Sequence, residues 1–92
     1  MVKIRFSSAL NNVVHTRETV LDIGDTTVKN VLDKLVQQFG PDFGKRVLDD
    51  NGKVRRFVNI YVNGEDIRHL KGLDSTVNDT DEISILPAVS GG

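Results

Sequence analysis

The first apolar residues of the chain alternate with charged ones. Val2, Ile4 and Phe6 are separated by Lys3 and Arg5, the period-two pattern of a strand with one buried face. Ser7 to Arg17 is polar with Asn11-Asn12, and is expected to form a turn or loose connection. Thr19, Leu21 and Ile23 then alternate with Val20 and Asp22, which predicts a second strand in a hairpin with the first. Gly24-Asp25 breaks that run.

Residues 28–39 carry the clearest periodic signal. Val28, Val31, Leu32, Leu35, Val36 and Phe39 fall at i, i+3, i+4, i+7, i+8 and i+11, one continuous stripe along a helix. Thr27 (or Thr26) is placed to cap its start, and Gly40-Pro41 to end it. Lys29, Asn30, Asp33, Lys34, Gln37 and Gln38 form the wet face, so the helix lies half-buried against a sheet.

From 42 to 56 the pattern weakens. Phe43, Val47 and Leu48 can anchor a short helical turn, and Asp50-Asn51-Gly52 is a turn. Phe57 to Val62 predicts a strand with Val58, Ile60 and Val62 on one face and Phe57, Asn59 and Tyr61 on the other. Asn63-Gly64 tolerates the positive φ of a type I′ hairpin turn. A short strand over Asp66 to His69, an irregular and partly 3₁₀ connection over Leu73 to Val77, and a turn over Asn78 to Asp81 are expected next. Ile83 and Ile85 alternate with Ser84 and Leu86 in a last strand, which Pro87 stops.

The order strand, strand, long helix, strand, short strand, final strand predicts a two-layer α+β domain. One long amphipathic helix crosses one face of a mixed, four- to five-stranded sheet. With the first and last strands side by side at the centre and hairpins at the edges, this is the β-grasp arrangement. Residues 1–86 are expected to form its body and residues 87–92 a flexible C-terminal tail.

Composition then narrows the chemistry. Ninety-two residues make one domain, and 27% charged residues mark it as an ordinary globular one. The absence of cysteine excludes a disulfide scaffold, a zinc-thiolate site, an iron–sulfur cluster and a cysteine nucleophile. A net charge of −1 gives no sign of a nucleic-acid partner. Lys3 and Arg5 break the pattern of a secretory leader, and no apolar run approaches a membrane span, so the expected location is cytoplasmic.

Candidate catalytic groups fail one by one. His15 and His69 stand alone among polar neighbours and are expected to face solvent, so no metal site is predicted. Gly40-Pro41-Asp42-Phe43-Gly44-Lys45-Arg46 echoes a phosphate loop but has the wrong glycine spacing, Arg46 in place of Ser or Thr, and a helix before it. Asp49-Asp50, Asp79 and Asp81-Glu82 sit in or beside turns, where turn chemistry accounts for them. The chain is therefore not expected to be an enzyme by itself.

The C-terminus is distinctive. Eight glycines are spread through the chain and two of them are its last residues. The ten residues from Ile83 to Gly92 carry no charged side chain. Glycine has no Cβ, so a slim tail of Val89, Ser90, Gly91 and Gly92 suits insertion into a narrow tunnel, carrying the terminal carboxylate into a partner's active site.

A β-grasp pattern ending in Gly-Gly resembles the ubiquitin-like sulfur carriers of the MoaD/ThiS type. The resemblance spans most of the chain. It rests on the opening strand, Thr27-Val28, Tyr61-Val62-Asn63-Gly64-Glu65, and above all Ile85-Leu86-Pro87-Ala88-Val89-Ser90-Gly91-Gly92. Arg56-Phe57-Val58-Asn59-Ile60-Tyr61-Val62-Asn63 followed by Glu65-Asp66-Ile67-Arg68 is similar to the carriers that feed cysteine synthesis. Two departures are Asp79-Thr80-Asp81-Glu82, where the family usually has Asp-Gly-Asp-Glu, and Ser90 in place of alanine.

The resemblance implies a co-substrate with no bound cofactor. A partner of the E1 type would use ATP to adenylate Gly92, and sulfur would displace AMP to leave a thiocarboxylate. The acceptor would be a cysteine synthase, a molybdopterin synthase large subunit or a thiazole synthase; the alternative is a modifier joined to lysines through Gly92. Docking also needs a surface. Leu86, Phe57 and Tyr61 share the open face if Val58, Ile60 and Val62 are core, and would form an apolar patch near the tail root. The competing expectation is that the loop of residues 42–56 covers Phe57.

Overall fold

The period-two stretches form the strands and the period-3.6 stretch forms the main helix. The computed structural model describes residues 1–87. In chain order the elements are β1 (Val2–Phe6), α1 (Asn11–Val14), β2 (Glu18–Leu21), β3 (Thr26–Thr27), α2 (Val28–Phe39) and α3 (Pro41–Val47), followed by β4 (Val58–Val62), β5 (Glu65–Asp66), β6 (Thr76–Val77) and β7 (Glu82–Pro87). Five strands make one sheet in the order β2-β1-β7-β4-β5. β1 and β7 pair in parallel at its centre, and the other neighbours are antiparallel. This is the ubiquitin-like β-grasp arrangement, with five strands.

α2 crosses the inner face of the sheet. Val28, Val31, Leu32 and Leu35 are buried in one core with Val2, Ile4, Ile60, Ile83 and Ile85. Burying such a side chain contributes about 1.5–3 kcal/mol relative to leaving it exposed, so this seam supplies much of the fold's stability. Thr27 caps the helix, its hydroxyl oxygen accepting from the Asn30 amide at 3.3 Å. At the other end Gly40 adopts φ 96°, a conformation that side chains with a Cβ rarely take.

Several short elements differ from their sequence expectation. The Ser7–Arg17 connection is structured: a 3₁₀ turn at Ser8–Leu10 leads into α1, and Leu10 and Val14 are fully buried. Their spacing of four puts both on one side of a single turn, a signal too short to stand out among polar neighbours. β2 ends at Leu21, and Ile23 packs against the core from beyond the strand. The expected strand over Asp66–His69 is only β5, because the Asp66 carboxylate accepts from the Arg68 amide at 2.8 Å and starts a 3₁₀ turn at Ile67–His69. Gly72–Asp74 is 3₁₀ as expected, but Thr76–Val77 is a strand paired with β3. Pro87 is itself the last residue of β7, in register with Val58.

The weak 42–56 signal resolves into α3. Pro41 stops α2 and opens α3, where its missing N–H costs nothing. Gly44 permits close packing of the two helices, since a Cβ there would stand 3.3 Å from a Val36 methyl. Phe43 is fully buried and meets Phe6 edge-on at 6.0 Å, while Phe39 meets Phe6 at 5.6 Å. Phe43→Ala is therefore expected to lower the unfolding free energy by about 3–5 kcal/mol. Urea denaturation followed by circular dichroism measures it; a loss below about 1 kcal/mol would remove Phe43 from the core.

Candidate functional site

Gly92, Gly91, Ser90 and Val89, expected to carry the chemistry and enter a partner, lie outside the described residues, as does Ala88. The structure defines the root from which they continue. β7 is paired on both sides, to β1 and to β4, with Asn59 opposite Leu86 and Tyr61 opposite Ser84. The alternation of strands therefore points Leu86 away from the core while Ile83 and Ile85 are fully buried.

Phe57 is 64% exposed, so the loop of residues 42–56 does not cover it. Leu86 is 38% exposed and Tyr61 is half-buried. Leu86 stands diagonal to Tyr61 across the ladder, a separation of about 7–8 Å in such pairs, and Phe57 flanks the final Val58–Pro87 pair. Tyr61 and Leu86 thus share the open face by strand alternation. Phe57, expected as the first residue of that strand, instead stands one residue before β4, exposed beside the tail root in a turn closed by the Val58 amide donating to the Arg55 carbonyl.

Their centre is polar, which sequence did not foretell. Asn59, directly opposite Leu86, accepts from Arg68 Nη1 at 2.8 Å. The other end of the same guanidinium donates to the carbonyls of Val58 at 2.7 Å and Arg56 at 3.2 Å. Among the described residues β5 pairs only with Tyr61 and Val62 of β4, and this fork supplies donors to carbonyls that a sheet edge would leave open. Arg68 lies six residues past the end of β4, in the 3₁₀ turn after β5, so no periodicity points to it.

A second unforetold feature is a shallow groove of about 450 Å³ beside the tail root, lined by Arg46, Arg55, Arg56, Phe57 and Pro87 among others. Arg55 is fixed by its Nε, which donates to the Lys45 carbonyl at 2.6 Å. The Arg56 guanidinium lies 5.6 Å from the centre of the Phe57 ring. The available signal was the run of cations from Lys45 to Arg56. Farther across the open face, Arg5 meets Glu82 at 2.9 Å and Lys3 meets Glu18 at 3.4 Å, exposed pairs that contribute little stability but keep that half of the face charged.

The other candidates have structural roles. His15 is exposed in the left-handed conformation that ends α1, and His69 is exposed in the 3₁₀ turn after β5. Among the described residues no three His, Asp or Glu side chains gather as a metal site. Gly40–Arg46 is a helix junction, with no phosphate-loop geometry. Asp49 Oδ1 accepts from the amides of Asn51 and Lys53 at 2.8 and 3.0 Å, the turn role assigned to it. Asp81 likewise accepts from the Asn78 amide at 2.8 Å, and Asp79 pairs with the terminal amine at 3.2 Å. No helix among the described residues is long and apolar enough to cross a membrane.

Comparison with known proteins agrees with this geometry. Residues 4–92 match the model of the ThiS family. The chain is 41% identical over 78 residues to the sulfur carrier protein CysO of Mycobacterium tuberculosis, covering 83% of this chain and 82% of the relative. It is 30% identical over 92 residues to small archaeal modifier protein 3 of Haloferax volcanii, covering 99% and 98% of the two chains. A chain in the crystal structure of the Amycolatopsis orientalis BexX/CysO complex matches over 100% of both lengths, with TM-score 0.85 and 31% identity.

The Arg68 clamp makes a separate prediction. Arg68→Ala is expected to cost about 1–2 kcal/mol and to speed amide exchange in β4, with Arg68→Lys recovering only part because it lacks the fork. Denaturation and hydrogen exchange followed by NMR read both effects. Unchanged β4 exchange in Arg68→Ala would remove the clamp.

Proposed function

This chain belongs to the ThiS family, and from that premise we propose that it is a sulfur carrier whose working group is the Gly92 carboxylate. A carboxylate is a poor acyl electrophile. In the proposed cycle a partner of the E1 type binds ATP, the Gly92 carboxylate attacks the α-phosphate, and pyrophosphate leaves. Hydrosulfide then attacks the acyl carbonyl and displaces AMP, losing its proton and leaving a thiocarboxylate that keeps the sulfur off any side chain. That suits a chain with no cysteine.

The observation that carries this reading is the course of β7. The last strand occupies the middle of the sheet and ends at Pro87, so a rigid body leads directly into Ala88-Val89-Ser90-Gly91-Gly92. The body fixes the point from which the tail continues, and the small residues suit a narrow tunnel. Leu86, Phe57 and Tyr61 then meet the partner beside its mouth. The carrier is spent and recharged, acting as a co-substrate and not as an enzyme.

Cysteine synthesis is the favoured acceptor pathway. The Arg56–Arg68 stretch is similar to carriers of that pathway, and the mycobacterial relative bears a matching name. A cysteine synthase would take the sulfur in this case. A molybdopterin synthase large subunit or a thiazole synthase would take it otherwise, and with the former this chain would serve as the small subunit. A second reading, a modifier joined to lysines through an isopeptide bond at Gly92, is favoured by the similarity to small archaeal modifier protein 3.

Intact mass spectrometry of protein from its native host separates the two. A gain of about 16 Da, oxygen exchanged for sulfur, is expected for the carrier, whereas branched conjugates of higher mass would favour the modifier. Deleting Gly91 and Gly92 is expected to abolish ATP-dependent activation while leaving the circular dichroism spectrum and melting curve unchanged. A truncated chain that still formed an adenylate would refute the tail mechanism. Gly92→Ala is expected to impair activation or transfer at unchanged stability, by placing a methyl group in the tunnel.

A further inference from the structure

The cations of this chain are not spread evenly. Between residues 45 and 56 five of them, Lys45, Arg46, Lys53, Arg55 and Arg56, face only two carboxylates, Asp49 and Asp50. The remaining residues hold seven cations and eleven carboxylates, so a surplus of three positive charges is concentrated in a chain of net charge −1. α3 and the following loop bring Arg46, Arg55 and Arg56 into the groove beside Pro87. The tail therefore begins at the cationic pole of the molecule.

Little on the body neutralises that pole. Among the described residues none of the three arginines forms an ion pair. Asp49, the one carboxylate in the groove, has an oxygen committed to the Asn51 and Lys53 amides. Arg56 lies against exposed Phe57, so charge and apolar surface are presented together.

Resting on the carrier reading, we propose that Arg46 and Arg56 form a cationic collar at the tail root that docks on a rim of Asp and Glu side chains around the activating enzyme's tunnel. The enclosed chemistry favours this arrangement. The carboxylate and nucleotide phosphates are anions, so the catalytic floor must be cationic, and acids belong outside it. Five residues after Pro87 span at most about 18 Å, which separates an acidic rim from the reacting anions. Attraction between opposite patches raises the encounter rate and orients the tail before it enters.

The test is steady-state activation by the E1-type enzyme of the same organism at several salt concentrations. Arg46→Glu/Arg56→Glu is expected to raise KM for the carrier at least about tenfold, leave kcat unchanged, and flatten the salt dependence of kcat/KM. Arg46→Gln/Arg56→Gln, which avoids placing acid at the C-terminal end of α3, is expected to shift KM the same way by a smaller factor. Lys29→Glu/Lys34→Glu, with the same change of charge on the outer face of α2, is expected to leave KM within about twofold. Circular dichroism confirms that each variant folds.

If wild-type carrier is activated but the collar variants keep its KM and salt slope, the collar is wrong and the carrier reading stands. A lowered KM in both variants overturns it too, because the collar would then hold the chain's own terminal carboxylate. A wild-type chain that is not activated at all overturns the carrier reading, and the collar with it.

Discussion

Everything at the functional end of this molecule depends on the parallel pairing of β1 with β7. Register places Lys3 beside Glu82 and Phe6 beside Ile85, which makes the C-terminal strand a central one. A central strand has hydrogen-bonding neighbours on both edges and a helix over one face, so its direction is fixed by many contacts at once. An edge strand ending in the same residues would fray. Pro87, the last described residue before the tail, therefore ends the best-determined line in the sheet, and the working group of the proposed cycle is a backbone carboxylate that needs no pocket of its own. The histidines and turn acids, which carry the usual catalytic chemistry, are accordingly free to serve as caps and turn formers.

The pairing also partitions the open face. Because successive side chains alternate, burying Ile83 and Ile85 obliges Ser84 and Leu86 to face outward. Across the sheet the same rule lifts Arg5 toward Glu18 and Glu82, and turns Tyr61 to the same open face, with Phe57 exposed in the turn before β4. One half is a field of compensated charges; the other combines apolar side chains with the Asn59–Arg68 pair and, beyond Phe57, the arginine groove. The hydrogen-bonded centre gives the apolar half a polar registration point, which a featureless hydrophobic patch would lack.

What could be read from the sequence follows the length of each repeat. α2 has three turns of unbroken apolar stripe and one good cap, so its ends were legible to the residue. β1, β4 and β7 show at least two full alternations, enough to assign the faces of Tyr61 and Leu86, but not of Phe57, which falls in the turn before β4. Asn63 at φ 51° and Gly64 at φ 85° bear out a turn that two residues suffice to identify. α1, β3 and β6 span only about one period of their own pattern, so no repeat is visible in their residues. They exist because tertiary pairing supplies partners, as where the Val28 amide donates to Ser75 at 3.0 Å beside the β3–β6 ladder. Arg68 was illegible for another reason: its role is defined by carbonyls ten and twelve residues upstream.

Charge shows the same limit more sharply. A net charge of −1 describes a nearly neutral molecule, and on that number alone electrostatics seem irrelevant to its partners. Fields at a binding surface depend on where charges stand, and beyond a Debye length of roughly 8 Å the compensating carboxylates elsewhere are screened. A partner approaching the tail meets Arg46, Arg55 and Arg56 well before it senses the acids of the far face. Folding thus converts an unremarkable composition into a polar object, with its cationic end at the strand from which the tail departs. In the proposed cycle the body lends the tail its starting point and the sign of the surface around it. On that proposal, those two properties decide which active sites the Gly92 carboxylate enters.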